Sequence, residues 1–210
     1  MHKYSALEVF LKRSPLNAIL DYVRESEGIR TWINGGCKIP LPYKLKRKIV
    51  LDFTRRLRRN IFIETGTFLG DMVRDVKNYY REVHSIELED RLHENAQRLF
   101  AQDAHVHIHH GDSASILPKL VHGIQEPIFF WLDAHYSGGI SGRGDKFTPI
   151  EEELDVILRH PVNGHVILID DAIYFGGTRD HPTLDEVVQL VRSHKPEYIV
   201  KHEDDMIQIF

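Results

Sequence analysis

The sequence predicts an α/β fold: a mostly parallel sheet that ends in an antiparallel strand and is preceded by helices. Three observations carry this. From residue 60 onward, short apolar runs alternate with helical patterns, as in a parallel sheet with crossover helices. The first of those runs ends in Glu64-Thr65-Gly66-Thr67-Phe68-Leu69-Gly70, which reads as a strand entering a tight turn that opens a helix and brings backbone N–H groups up to a ligand. The last two apolar runs are joined only by Glu203-Asp204-Asp205, a link so short that it permits only an antiparallel hairpin.

Composition narrows the class. The chain has 210 residues, 42% hydrophobic and 28% charged, which suits one globular domain with an N-terminal addition. A formal net charge of -4, from 27 Lys+Arg against 31 Asp+Glu, gives no global argument for nucleic acid. The single cysteine, Cys37, rules out an internal disulfide and suits a reducing compartment. No run approaches the ~18 apolar residues that a bilayer span needs. The start, Met1-His2-Lys3-Tyr4, lacks the apolar core of a signal peptide. The expectation is a soluble cytoplasmic protein with no membrane partner.

Residues 1–59 read as a helical extension, a substrate cap or a contact in a homo-oligomer, and residues 60–210 as the main domain. Leu7, Phe10 and Leu11 share a helical face. Ser14-Pro15 starts a second helix carrying Leu16, Ile19, Leu20 and Val23. A third runs from about Tyr43 to Arg59, with Leu45, Ile49, Phe53 and Leu57 as its buried stripe. Its many basic residues, Lys46 among them, are then its solvated face. The main domain opens with a strand at Ile61–Glu64 and a helix from about Phe68 to Tyr80. A strand at Glu82–Glu87 precedes a helix with Leu92, Ala96, Leu99 and Phe100 on one face. A strand at His105–His110 leads through Gly111-Asp112-Ser113 to a short helix. Pro127–Asp133 is almost unbroken apolar, as expected of a strand covered on both faces. Thr148-Pro149-Ile150-Glu151 and Thr183-Leu184-Asp185-Glu186 read as capping boxes for helices on either side of a strand at His165–Asp170.

In an open parallel sheet, ligands collect at the carboxyl ends of the strands. Here those ends hold Glu64, Glu87, Asp112, Asp133 and Asp170-Asp171, more acids than turn preference alone explains. The Glu64–Gly70 segment, the acid at the end of the second strand, Gly111-Asp112-Ser113 and the closing hairpin together resemble the class I S-adenosylmethionine-dependent methyltransferases over residues 60–210. The resemblance implies a Rossmann-like seven-stranded sheet with an antiparallel last strand. It implies that Glu64, Thr65, Gly66, Thr67, Phe68, Gly70 and Asp133 line the methionine and ribose part of the cofactor. Glu87, beside Leu88, would accept hydrogen bonds from the ribose hydroxyls, and Asp112 and Ser113 would lie near the adenine. A dinucleotide-binding protein would need Gly-x-Gly-x-x-Gly, and Thr65 breaks that pattern.

Asp133, Asp170 and Asp171 resemble the carboxylate set of the cation-dependent O-methyltransferases and the macrolide-sugar group, which implies a divalent metal, Mg²⁺ first. Uncompensated, three neighbouring carboxylates raise one another's pKa, and a hard cation relieves that. His135, two places after Asp133, is a candidate general base or ligand. In the cation-dependent relatives the base lies three places after the aspartate, where this chain has Tyr136. The glycine-rich loop from Ala134 to Phe147 suits a binding lid, with Arg143 and Lys146 facing an anionic group. His105, His107 and His109 alternate along one strand face, which is assigned to solvent, with Val106 and Ile108 packed inward. The function expected is methylation of a hydroxyl on a small molecule or sugar. A cephalosporin hydroxylase-like oxygenase using iron, and a non-catalytic module that keeps the cofactor pocket, are the alternatives.

Overall fold

The structure, a computed structural model, describes residues 26–134, 147–178 and 180–210. Residues 26–34 are helical. Helix α1 (Tyr43–Arg56) precedes the sheet, whose strands are β1 (Ile61–Thr65), β2 (Glu82–Glu87), β3 (Val106–His110), β4 (Ile128–Leu132), β5 (Val166–Ile169), β6 (Val200–Glu203) and β7 (Met206–Ile209). The connecting helices are α2 (Asp71–Val76), α3 (Asp90–Leu99), α4 (Ser113–Val121), α5 (Ile150–Arg159) and α6 (Leu184–His194). The seven strands lie in the order β3-β2-β1-β4-β5-β7-β6. β1 pairs in parallel with both β2 and β4, Ile61 facing Glu82 on one side and Ile128 on the other. β7 is antiparallel to β5 and to β6.

Alternation along the strands feeds two core layers. Ile63, Ile86, Phe130, Leu132 and Ile167 pack with Leu117 of α4, Leu154 of α5 and Val191 of α6. Phe62, Val83, Phe129, Trp131 and Leu168 pack with Val50 and Phe53 of α1, Met72 and Val73 of α2, and Phe100. Helices cover both faces, so the strands read as unbroken apolar runs.

Several local expectations change. The helix expected over 68–80 is α2 followed by a 3₁₀ turn at Lys77–Tyr79. Thr183 and Glu186 form the reciprocal capping box. Thr148 does not: the N-cap is Pro149, and the buried Thr148 hydroxyl accepts from Ile150 N–H at 3.3 Å. The β6–β7 turn places Asp204 and Asp205 at φ +55° and +59°, the left-handed pair that a tight hairpin requires. No helix among the described residues is long and apolar enough to cross a membrane.

Candidate functional site

The carboxyl end of β1 carries Glu64, which is 1% exposed. The Ser85 hydroxyl of β2 donates to its Oε2, and Thr67 Oγ1 lies 2.6 Å from Ser85 Oγ. Burial raises the Glu64 pKa well above the usual carboxylate range; Ser85 opposes the rise, and Asp133, Glu87 and Asp71 add to it.

The turn beyond Glu64 departs from the amide cradle expected of it. Gly66 and Thr67 N–H both donate to the Ile86 carbonyl, at 2.9 and 3.2 Å, and Gly70 N–H donates to Thr67 O at 2.8 Å. Phe68 N–H donates to Glu87 Oε2 at 2.7 Å. Because β1 and β2 are paired in parallel, the chain leaving β1 crosses the end of β2 and is stitched to it. What the turn offers a ligand is therefore carboxylate oxygen more than amide hydrogen.

Glu87 ends β2. Its Oε1 accepts from Glu89 N–H at 2.9 Å, just past Leu88, so each oxygen already takes one amide. A carboxylate oxygen has two acceptor sites, which leaves capacity for hydroxyl donors. Burial pushes its pKa up, and the amides of Glu89, Phe68 and Leu88 pull it back. Beyond β3, Asp112 caps α4 by accepting from Ser115 N–H at 3.2 Å, and Ser113 is buried.

Glu153 belongs to the site although no local pattern marks it. This α5 residue is 1% exposed, and among the described residues its Oε1 and the Thr65 hydroxyl have no hydrogen-bond partner. Burial lifts the Glu153 pKa to about 7; Ser113 and Thr65, nearby, offset part of that rise.

The ends of β4 and β5 bring Asp133 and Asp170 side by side: Asp133 N–H donates to Thr65 O, and Asp170 N–H to Leu132 O, both at 3.0 Å. Asp171 follows at φ +52°, its N–H donating to Asp170 Oδ1 at 2.8 Å. The metal expected here does not fit. Lys46 of α1 is 4% exposed, and its Nζ lies 2.7 Å from Asp170 Oδ1. It also pairs with Asp171 Oδ1 and lies 3.8 Å from Asp205 Oδ2. Among the described residues no group of three or more His, Cys, Asp or Glu side chains is arranged to hold a metal ion. Asp133, Asp170 and Asp171 are therefore not a metal triad in this arrangement; an ammonium holds two of them.

Lys46 faces inward and not the solvent that the stripe Leu45, Ile49, Phe53, Leu57 predicts for it: Phe53 is buried and Ile49 and Leu57 pack against the core as expected, but the buried face is wider on the Lys46–Val50 side. The buried positions of α1 are Lys46, Val50, Phe53 and Thr54. The spacing Lys46, Val50, Phe53, Leu57 was the missed signal. Asp205 escaped notice because an aspartate in a tight turn reads as turn chemistry. Tyr43, one turn before Lys46, is 39% exposed over the whole residue; desolvation, then the carboxylates of Glu64, Asp133, Asp71 and Asp170, raise its pKa well above the phenol range. His135, Tyr136, Arg143 and Lys146 lie outside the described residues.

No protein-family model matches the sequence. No curated protein matches it either. Solved structures do. The SAH-bound methyltransferase PaMTH1 of Podospora anserina aligns with a TM-score of 0.56 at 15% identity, over 89% of this chain and 86% of that one. A putative caffeoyl-CoA O-methyltransferase from Staphylococcus aureus gives 0.56 at 14% identity, over 94% and 92%. The O-methyltransferase TomG of Streptomyces achromogenes, in complex with SAM and involved in tomaymycin synthesis, gives 0.53 at 19% identity, over 88% and 87%. The fold is that of the S-adenosylmethionine-dependent methyltransferases.

On this methyltransferase fold the histidines of β3 lie on an edge strand of the sheet. They are not simply solvated. His84 of β2 stacks on His107 and His109, with centroids 5.0 and 5.2 Å away, and its Nδ1 lies 3.0 Å from His109 Nε2. Burial, then the neighbouring His84, His107 and His93, lower the His109 pKa to about 4. Parallel pairing of β2 with β3 sets His84 beside His107, a juxtaposition that depends on strand order and not on local pattern.

Proposed function

We propose that the chain is an S-adenosylmethionine-dependent methyltransferase that acts on a hydroxyl of a small molecule or sugar. One observation carries this: Glu64 and Glu87, buried at adjacent strand ends, share one rim with Asp133. Burial, and then the neighbouring Asp133, Glu87 and Asp71, make the charged form of Glu64 costly in the free protein. A donor bearing an ammonium, a sulfonium and ribose hydroxyls matches the rim in charge and in hydrogen bonding. The likeness to structures described as O-methyltransferases supports a hydroxyl acceptor.

The cofactor, when bound, supplies an electrophilic methyl group on a sulfonium sulfur. The chain's own residues do the rest. Glu87 accepts the ribose hydroxyls beside Leu88. Glu64 and Asp133 balance the donor's positive charge, with Thr65, Gly66, Thr67, Phe68 and Gly70 shaping the floor. Asp112 and Ser113 flank the adenine. His135 accepts the proton from the substrate hydroxyl, and Tyr136 is the alternative base. Holding both reactants in line supplies much of the rate. Tyr43 closes the pocket from α1, and Arg143 and Lys146 meet an anionic substrate group. The cytoplasm is the proposed compartment.

Calorimetry with S-adenosylhomocysteine is the direct test. Binding is expected, and Glu87→Gln, which replaces one acceptor oxygen with a donor, should weaken it at least about tenfold. A screen of hydroxylated acceptors with labelled donor then reads transfer. A folded wild-type protein that binds no S-adenosylhomocysteine overturns the proposal.

A further inference from the structure

Lys46 is held in a way that decides what the β5 end can bind. Val50 and Phe53, the next two inward positions on α1, are buried in the core layer against Phe62 and Phe129, so the helix cannot roll without opening that layer. From this anchored turn Nζ reaches Asp170 Oδ1 at 2.7 Å, pairs with Asp171 Oδ1, and approaches Asp205 Oδ2 at 3.8 Å. The three carboxylates come from three places: the end of β5, the residue after it, and the β6–β7 turn. Their side chains are 4%, 17% and 0% exposed, so water screens the ammonium little.

A divalent cation shared by Asp170 and Asp171 has to sit at about 2.0–2.6 Å from their oxygens. That position lies within contact distance of Nζ, where a second positive charge is strongly repelled in a poorly screened site. Metal and Lys46 are mutually exclusive occupants.

We propose that Lys46 is the resident cation of this rim: its ammonium takes the place of a divalent metal and makes methyl transfer metal-independent. The proposal rests on the methyltransferase function and deepens it. Lys46 acts as a positioning residue. It clamps α1 across the end of β5 and the start of β7, through Asp170 and Asp205. The substrate hydroxyl then loses its proton to a side-chain base, and no Lewis acid takes part.

Chelator-stripped wild-type protein is titrated with Mn²⁺ while the free-ion paramagnetic resonance signal is followed. No Mn²⁺ should bind below ~1 mM, because the ammonium blocks the position. The affinity for S-adenosylhomocysteine, and transfer in the acceptor screen, should be the same with and without chelator. Lys46→Met keeps the length and apolar stem but removes the charge, and should gain a Mn²⁺ site at least about tenfold tighter than wild type. Adding Asp170→Asn to Lys46→Met should abolish that gain. A purely structural lysine would not produce it. Tight binding of one Mn²⁺ by the wild type, lost in Asp170→Asn, overturns the proposal; so does a folded Lys46→Met that binds Mn²⁺ no better than wild type. Should Lys46→Met fail to fold, the wild-type titration still decides. Absence of S-adenosylhomocysteine binding counts against the methyltransferase function, and the Mn²⁺ titration judges Lys46 separately.

Discussion

A Cβ placed on Gly66 would stand 2.7 Å from the carbonyl oxygen of Asp133. The β1 turn and the end of β4 touch through backbone, and Gly66, at φ +88°, is shaped by that contact as much as by any ligand. Gly66→Ala combines a left-handed backbone with a clash against main chain that cannot swing away. A loss of about 3 kcal/mol is expected from the two effects together. Urea unfolding of the variant measures it. Loss below about 1 kcal/mol would mean that β4 yields easily and that the contact does not fix the site.

Glu64 predicts a proton signature for donor binding. Its pKa in the free protein is raised by burial, and then by Asp133, Glu87 and Asp71, so part of the population is protonated as pH falls toward that raised value. A cationic ligand favours the carboxylate and lowers the pKa. Binding of S-adenosylmethionine should therefore release protons, and affinity should climb as pH rises through the raised value, by at most about tenfold per unit. Calorimetry in two buffers of different ionisation enthalpy reads the release. Glu64→Gln should remove the buffer dependence; identical enthalpies in both buffers for the wild type would show that Glu64 is not coupled to the donor.

Glu153 predicts a stability change of definite sign. Its folded pKa is about 7 against an ordinary 4.5, because burial disfavours the charge. A raised acid contributes its full stability below the unfolded value and loses it as pH rises through the folded one. Unfolding free energy should thus fall between about pH 4.5 and 7, by up to about 3 kcal/mol for this group. Glu153→Gln cannot ionise and should be the more stable protein at pH 8, while showing less advantage at pH 5. Denaturant melts at the two pH values check this; an equal difference at both would place the charge elsewhere.

The parts of this fold that were legible in sequence are those set by local pattern. Phe129, Phe130 and Trp131 announce a strand covered on both faces, and Thr183 with Glu186 announces a helix start, because the physics lies within a few residues. The acids of the rim were legible for the same reason: each sits at the end of its own strand. What covers them was not. Lys46 and Asp205 meet across 159 residues, and only the packing of α1 and the β6–β7 turn brings them together. The bonding of the Glu64–Gly70 amides to Ile86 and Glu87 was likewise hidden, since it follows from strand pairing.

His165 and His160 form a buried relay whose tautomers follow from its ends. Ile128 N–H donates to His165 Nδ1 at 3.0 Å, so that nitrogen is the acceptor and Nε2 carries hydrogen. Nε2–H then donates to His160 Nδ1 at 3.0 Å, and His160 Nε2–H to Val121 O at 2.9 Å. Every ring nitrogen is used with both imidazoles neutral. Burial, then His160, Lys195 and Arg59, lower the His165 pKa to about 3. The unfolded chain, with an ordinary value of 6.5, binds the proton first, so this contribution is intact above pH 6.5 and drains away as pH falls toward 3, by at most about 4–5 kcal/mol. Acid unfolding should begin in that window. Nuclear magnetic resonance of the His165 ring should show it neutral, with hydrogen on Nε2, down to the onset of unfolding. A ring that titrates near pH 6 in the folded protein would break the relay as described, because a protonated Nδ1 cannot accept from Ile128.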